Sequence, residues 1–244
     1  MIEARALQKR FGKVEAVADV SFRAGDGVVT GLLGPNGAGK TTTLRMLTGL
    51  LEPDGGEALV DGVQVQREPM AARRRMGILS DAKGLYPRLT AREHVRYFGE
   101  LHGLEGPRLE ERIGAMLELL DMREIADRRA EGFSTGERTK VALARALVHE
   151  PGNVLLDEPT NGLDVMSTRA VRGLIQRLRA QGRCVVFSSH VMQEVAQLCD
   201  RIIVVARGRI VADGTPADLR ARTGKENLEE AFVSVIGSDS GLDR

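Results

Sequence analysis

The sequence predicts an α/β fold: a parallel sheet with helical crossovers, entered through short N-terminal strands and interrupted by a helical lobe. Three observations carry that expectation. From Val154 onward, strand-length apolar runs alternate with stripes at helical spacing, the pattern of a parallel sheet with crossovers. A glycine-rich turn, Gly34 to Thr41, sits directly between a nearly unbroken apolar strand and a helix. Between these two regions, from about Tyr86 to Val148, the chain reads as helix.

The elements follow in order. Ile2 to Leu7, Ala16 to Arg23 and Val28 to Leu33 read as short strands, with Gly25-Asp26-Gly27 as a turn. The third is apolar apart from Thr30, as expected of a central strand covered on both faces. A helix runs from about Lys40 to Leu50 and is ended by Gly49 and Pro53. Gly77-Ile78-Leu79 is a further short strand, opening into the loop Ser80-Asp81-Ala82-Lys83-Gly84. Thr90-Ala91-Arg92-Glu93 is a capping box that starts a helix. Leu109, Ile113, Met116, Leu117 and Leu120 form the apolar stripe of the next. A third, from about Glu137 to Val148, carries Val141, Ala144, Leu147 and Val148 on one face. Strands at Val154 to Leu156, Cys184 to Phe187 and Ile202 to Val205 then alternate with helices marked by Val171, Leu174, Ile175 and Leu178, and by Val191, Val195 and Leu198. The tail from Thr215 reads as helical, amphipathic at Leu228, Ala231, Phe232 and Val235, and fraying in SDSGLDR.

Bulk properties exclude several classes. A chain of 244 residues buries one sizeable core. With 35 basic and 34 acidic residues the net charge is +1, which argues against nucleic-acid binding through a broad basic face. Aromatics are only 3% and tryptophan is absent, so base-stacking platforms are not expected. Cys184 and Cys199 lie in apolar surroundings, which suits buried reduced thiols rather than a disulfide framework or a zinc site. No segment approaches the roughly 18 apolar residues of a membrane span, and the N-terminus lacks a signal peptide's apolar stretch. The expectation is a cytosolic chain without direct membrane insertion.

Two motifs carry chemistry. Gly34-Pro35-Asn36-Gly37-Ala38-Gly39-Lys40-Thr41 has the spacing of a phosphate-binding P-loop in the strand–turn–helix context that motif requires. Its glycines let backbone N–H groups turn inward around a phosphate, and the helix N-terminus adds its positive dipole end. Lys40 would reach the β- and γ-phosphates and Thr41 would ligate Mg²⁺. Val154-Leu155-Leu156-Asp157-Glu158 is an apolar strand ending in two acids. Asp157 would hold Mg²⁺, and Glu158 would act as general base toward the attacking water. Alone, the first could be an ordinary glycine-rich turn and the second a helix cap. Together they point to a nucleotide hydrolase.

The stretch Phe133-Ser134-Thr135-Gly136-Glu137, followed by Arg138 to Leu147, says which kind. Here the chain resembles the ATP-binding-cassette (ABC) ATPases, whose signature reads Leu-Ser-Gly-Gly-Gln before such a helix, and the resemblance covers nearly the whole chain. It implies a P-loop NTPase (RecA-like) core with an N-terminal antiparallel β lobe and an inserted α-helical subdomain at about 86–148. The ATP-binding domain would span 1–224, with a helical tail over 225–244. It implies ATP and Mg²⁺ as cofactors, held by the P-loop from Gly34 through Thr42, with Phe11 stacking on adenine. Asp164 in Asn161-Gly162-Leu163-Asp164 fits the D-loop, and His190 in Ser188-Ser189-His190 fits the histidine that contacts the γ-phosphate. Ser134, Thr135, Gly136 and Glu137 would bind the γ-phosphate held by another subunit, sandwiching two ATP molecules in a head-to-tail homodimer or heterodimer. Two positions depart from the signature. Thr135 replaces a glycine, so that backbone does not need positive φ. Glu137 replaces a glutamine; its carboxylate is unfavourable near phosphate but favourable at a helix start, which leaves open a solvent-facing acid or an interface role.

A single cassette without a membrane span is what the energy subunit of a transporter would look like, paired with a permease encoded as a separate chain and lying at the cytoplasmic membrane face. The run Lys83 to Glu93, the Phe-Ser-x-Gly signature and the terminal Asn227-Leu228-Glu229-Glu230-Ala231-Phe232 resemble the ATPase subunit of bacterial sodium-extruding exporters, the NatA type. A soluble ABC ATPase driving assembly or regulation is the alternative. Asp81 falls where the family carries a glutamine that touches Mg²⁺ and the attacking water. One methylene shorter, it reaches roughly 1.5 Å less, so a bridging water is the more economical link to Mg²⁺; a plain turn former is the other reading.

Overall fold

The computed structural model describes residues 1–80 and 84–240. Asp81 lies outside the described residues. The chain opens with β1 (Ile2–Phe11) and β2 (Val14–Ala24), an antiparallel hairpin closed by Gly12-Lys13, followed by β3 (Val29–Leu33) and α1 (Lys40–Leu47). Both strands of the hairpin are longer than expected, and α1 stops earlier, where Gly49 takes φ +67°. A second hairpin, β4 (Gly55–Val60) and β5 (Val63–Gln64), turns at Asp61-Gly62, both with positive φ. Then come α2 (Pro69–Arg73) and β6 (Met76–Leu79).

The helical stretch consists of α3 (Ala91–Leu101), α4 (Gly106–Leu119) and α5 (Thr135–Leu147). The expected capping box opens α3: the Glu93 amide donates to Thr90 Oγ1 at 3.2 Å, and the Thr90 amide to Glu93 Oε2 at 2.8 Å. The stripe on α4 is buried as its spacing demands. Alternation resumes with β7 (Asn153–Asp157), α6 (Val165–Ala180), β8 (Cys184–Ser189), α7 (Met192–Leu198) and β9 (Arg201–Ala206). A last strand, β10 (Arg209–Gly214), folds back on β9 through Arg207-Gly208. The tail forms α8 (Pro216–Thr223) and α9 (Leu228–Ser240), the latter running on into the residues expected to fray.

Among the described residues the strands form one sheet in the order β5-β4-β1-β2-β10-β9-β3-β8-β7-β6. β5, β4, β1 and β2 are antiparallel neighbours; β9, β3, β8, β7 and β6 run parallel. Successive residues of the parallel strands feed opposite cores. Val154 and Leu156 pack into one apolar cluster with α3 to α6, whereas Leu155 packs into the other with α1 and the β lobe. That is why these strands read as unbroken apolar runs. The two thiols serve this packing: Cys184 and Cys199 are both free and buried, and burial pushes Cys184 up to about 12. The C-terminal ends of β3, β7 and β8 lie side by side, the place where ligands bind in open α/β sheets.

Candidate active site

The turn after β3 is shaped by backbone crowding. Gly39, the N-cap of α1, sits at φ +106°, and a Cβ there would stand 2.5 Å from the Ala16 carbonyl oxygen. A side chain at Gly34 would collide with the Val205 carbonyl. With both positions bare, the turn packs directly against these two carbonyls. Lys40 is 6% exposed; its ammonium donates to Gly34 O at 2.7 Å and Pro35 O at 3.1 Å, and lies 3.8 Å from Glu158 Oε1. Burial holds Lys40 below its ordinary range, against the pull of Glu158 and Asp157.

The acid pair leaves the end of β7. Parallel register sets Asp157 opposite Ser188 of β8, and the Ser188 hydroxyl donates to Asp157 Oδ1 at 2.6 Å. The same oxygen accepts from Thr41 Oγ1 at 3.1 Å. Glu158 turns into the left-handed region at φ +47°, with its amide donating to Ser188 Oγ at 2.9 Å. Its carboxylate meets His190, whose Nδ1 lies 2.9 Å from Glu158 Oε2. A cavity of about 440 Å³ is lined by Phe11, Ala16, Asn36 to Thr42, Glu158, Asn161 and His190. Gly34 and Pro35 do not line it, but their carbonyls accept the Lys40 ammonium. Phe11 reaches the cavity from the β-lobe hairpin and is 51% exposed, with Lys9 Nζ 5.8 Å from its ring centroid.

This arrangement can hold a polyphosphate. The α1 N-terminus and a buried ammonium face one end of the cavity, and an exposed aromatic ring stands at its rim. Thr41 Oγ1, on the cavity wall, and Asp157 Oδ1, bonded to it, are a hard-oxygen pair, the small protein ligand set that Mg²⁺ accepts when phosphate and water complete its shell. Glu158 and His190 form a hydrogen-bonded acid–imidazole pair beside it, a competent proton acceptor and its orienter.

The signature residues form a second group, none of which lines this cavity. Ser134 N-caps α5, accepting from the Glu137 amide at 3.2 Å, while its own amide donates to Glu137 Oε2 at 2.8 Å. Arg128 donates to the other Glu137 oxygen at 2.8 Å. The Glu137 side chain, partly exposed, closes a capping box and an ion pair. Burial pushes Glu137 up, but the Ser134 amide and the Arg128 guanidinium prevail and hold it below its ordinary value. Thr135 enters α5 without positive φ. Gly136 is packed against α6, where a Cβ would sit 2.7 Å from Ser167 Oγ. Asp164 N-caps α6, both carboxylate oxygens engaged by the Ser167 amide and hydroxyl at 2.8 Å. The segment 161–164 thus runs from the cavity, at Asn161, to the signature. Motif reading assigns no role of its own to Asn161, Arg128 or Ser188. Ser188 could have been found from strand register alone, because parallel pairing puts it beside Asp157.

Comparison with known proteins gives a consistent result. The sequence-family model described as "ABC transporter" matches residues 17–161. The chain is 43% identical over 233 residues to the ABC transporter ATP-binding protein NatA of Bacillus subtilis, covering 95% of each chain. It is 37% identical over 220 residues to the Nod factor export ATP-binding protein I of Paraburkholderia xenovorans, covering 90% of this chain and 72% of that one. A bacterial ABC transporter cassette solved as a dimer superposes with a TM-score of 0.80 at 25% identity, over 88% of this chain and 98% of the other.

Proposed function

The chain belongs to the ABC transporter family, and from that premise we propose that it is the ATP-binding and ATP-hydrolysing subunit of a membrane exporter, working as a head-to-tail dimer. The carrying observation is the convergence of Lys40, Thr41, Glu158 and His190 on one cavity from the ends of three parallel strands, with Asp157 hydrogen-bonded to Thr41. On ATP binding, Lys40 transfers its ammonium from the Gly34 and Pro35 carbonyls to the β- and γ-phosphate oxygens. Backbone N–H groups from Asn36 to Thr42 cradle the phosphates, and Phe11 covers adenine. Thr41 and Asp157 would hold Mg²⁺, which supplies charge neutralisation to the phosphates; Asp81 would reach it through water. Glu158 accepts the proton of the attacking water as the new O–P bond forms. The bond between the γ-phosphorus and the bridging oxygen breaks, and its electron pair leaves with ADP. His190 keeps Glu158 aimed and contacts the γ-phosphate.

Each cavity lacks the signature residues of its own chain. Ser134, Thr135, Gly136, Glu137 and Asp164 are the groups a second copy would present to the γ-phosphate, with the Ser134 O–H proton still available to donate. The dimeric relative supports that pairing. No helix among the described residues is long and apolar enough to cross a membrane. The proposed partner is a permease encoded as a separate chain, with this subunit on its cytoplasmic face. An exported cargo accords with the named function of the Nod factor relative, and sodium ions are the cargo suggested by the Lys83 to Glu93 run and the terminal motif.

Phosphate release from Mg²⁺-ATP tests the chemistry. Glu158→Gln should keep ATP affinity while turnover falls about 10²–10⁴-fold, the usual worth of a general base. A Glu158→Gln chain that hydrolyses ATP at the normal rate overturns the assignment.

A further inference from the structure

Behind the Glu158–His190 pair lies a buried carboxylate that the mechanism above does not use. Glu194, on α7, is 5% exposed. Its Oε2 accepts the Thr160 hydroxyl at 2.6 Å and the Ser189 hydroxyl at 3.2 Å; its Oε1 faces Arg172 at 3.6 Å. A buried carboxylate persists only when donors surround it, and the source of these donors is informative. Thr160 lies two residues beyond Glu158, in the turn that puts Glu158 at positive φ. Ser189 immediately precedes His190, and its oxygen also accepts the Val191 amide at 3.0 Å, clasping the backbone on both sides of the histidine.

We propose that Glu194 is a positioning residue for ATP hydrolysis: one carboxylate oxygen gathers a hydroxyl from the loop of Glu158 and a hydroxyl from the loop of His190, and so fixes those two side chains against each other. The inference rests on the hydrolytic role proposed above. Arg172 anchors the carboxylate to α6, which places this junction between the helix entered through Asp164 and the two catalytic loops.

The test uses the full chain, with Glu194→Ala, Glu194→Gln and Thr160→Val in the wild-type and His190→Ala backgrounds. Glu194→Ala should lower kcat about tenfold or more, because small misplacements of reacting groups are costly, with the KM for ATP nearly unchanged. Glu194→Gln keeps an oxygen that accepts both hydroxyls and should restore most of the rate; Thr160→Val, which conserves volume, should show a smaller loss of the same kind. In the His190→Ala background, where the pair is already broken, Glu194→Ala should add little. A loss that multiplies fully there, or a rise in KM with kcat intact, overturns the proposal. A spectroscopic arm does not depend on hydrolysis: the His190 ring ¹⁵N resonances of Glu194→Ala should move toward those of Glu158→Gln. Resonances that stay at wild-type positions in a folded Glu194→Ala or Thr160→Val chain contradict it, whatever the wild-type ATPase rate.

Discussion

Ser188 shows how much one hydroxyl can organise. Fully buried, it donates to Asp157 and accepts the Glu158 amide, so one oxygen spaces the two acids. Ser188→Ala leaves the part-buried Glu158 N–H without its acceptor and Asp157 without one of its donors, which costs about 1–3 kcal/mol. For a chain of this size each kcal/mol lowers Tm by about 2–4 °C. Calorimetry should show that drop, together with slower phosphate release; an unchanged Tm would mean the two bonds contribute nothing. Residue roles of this sort are only partly legible in sequence. Lys40 and Thr41 are readable because their context is local, a strand, a turn and a helix in succession. The partner of Glu137 is Arg128, nine residues away in an irregular segment, and no spacing rule announces it. The capping half was readable: Ser134-x-x-Glu137 follows the same pattern as Thr90-x-x-Glu93.

Between elements, two histidines hold the helical stretch to the sheet. His102 caps the C-terminal end of α3 and His149 follows α5; their rings stack with centroids 3.5 Å apart and planes 3° from parallel. His149 Nε2 lies 3.1 Å from Met76 O on β6. Burial first, then His102, Arg183 and Arg112, holds the His149 imidazole at about 4, and burial with Arg74 lowers His102. In the unfolded chain a histidine titrates near 6.5 (about the model-peptide value). The unfolded state thus binds the extra proton between about pH 6.5 and 4. Stability from this pair is complete above that window and declines as pH falls through it. Thermal melts from pH 7.5 to 5 should show wild type losing more Tm than His149→Gln; equal slopes would remove the pair from the account. At this scale the sequence is readable where pattern is periodic, as on α4 and α6, and poorer where a short hairpin decides. Asp61-Gly62 and Arg207-Gly208 are both two-residue hairpin turns, the first with the Asp-Gly signature. Yet β5 has two residues and β10 follows directly on another strand, so neither displays enough alternation to be seen beforehand.

For the whole molecule the decisive fact is separation. The signature residues line no part of the P-loop cavity, and segment 161–164 runs between the two. Sequence order lists all the motifs but is silent on which of them share a cavity, because that depends on how the helical stretch packs against the sheet. Under the proposed head-to-tail pairing, such a site would be completed by the α5 N-terminus of a second copy, and ATP would become part of the interface. In that proposal, hydrolysis would remove the γ-phosphate that both copies hold. The most direct measurement is the mass of Glu158→Gln in solution by multi-angle light scattering, with and without Mg²⁺-ATP. Without nucleotide the chain should scatter as a 26.5 kDa monomer, and saturating ATP should double that mass. A mass that stays at the monomer value while ATP is bound would contradict the shared site.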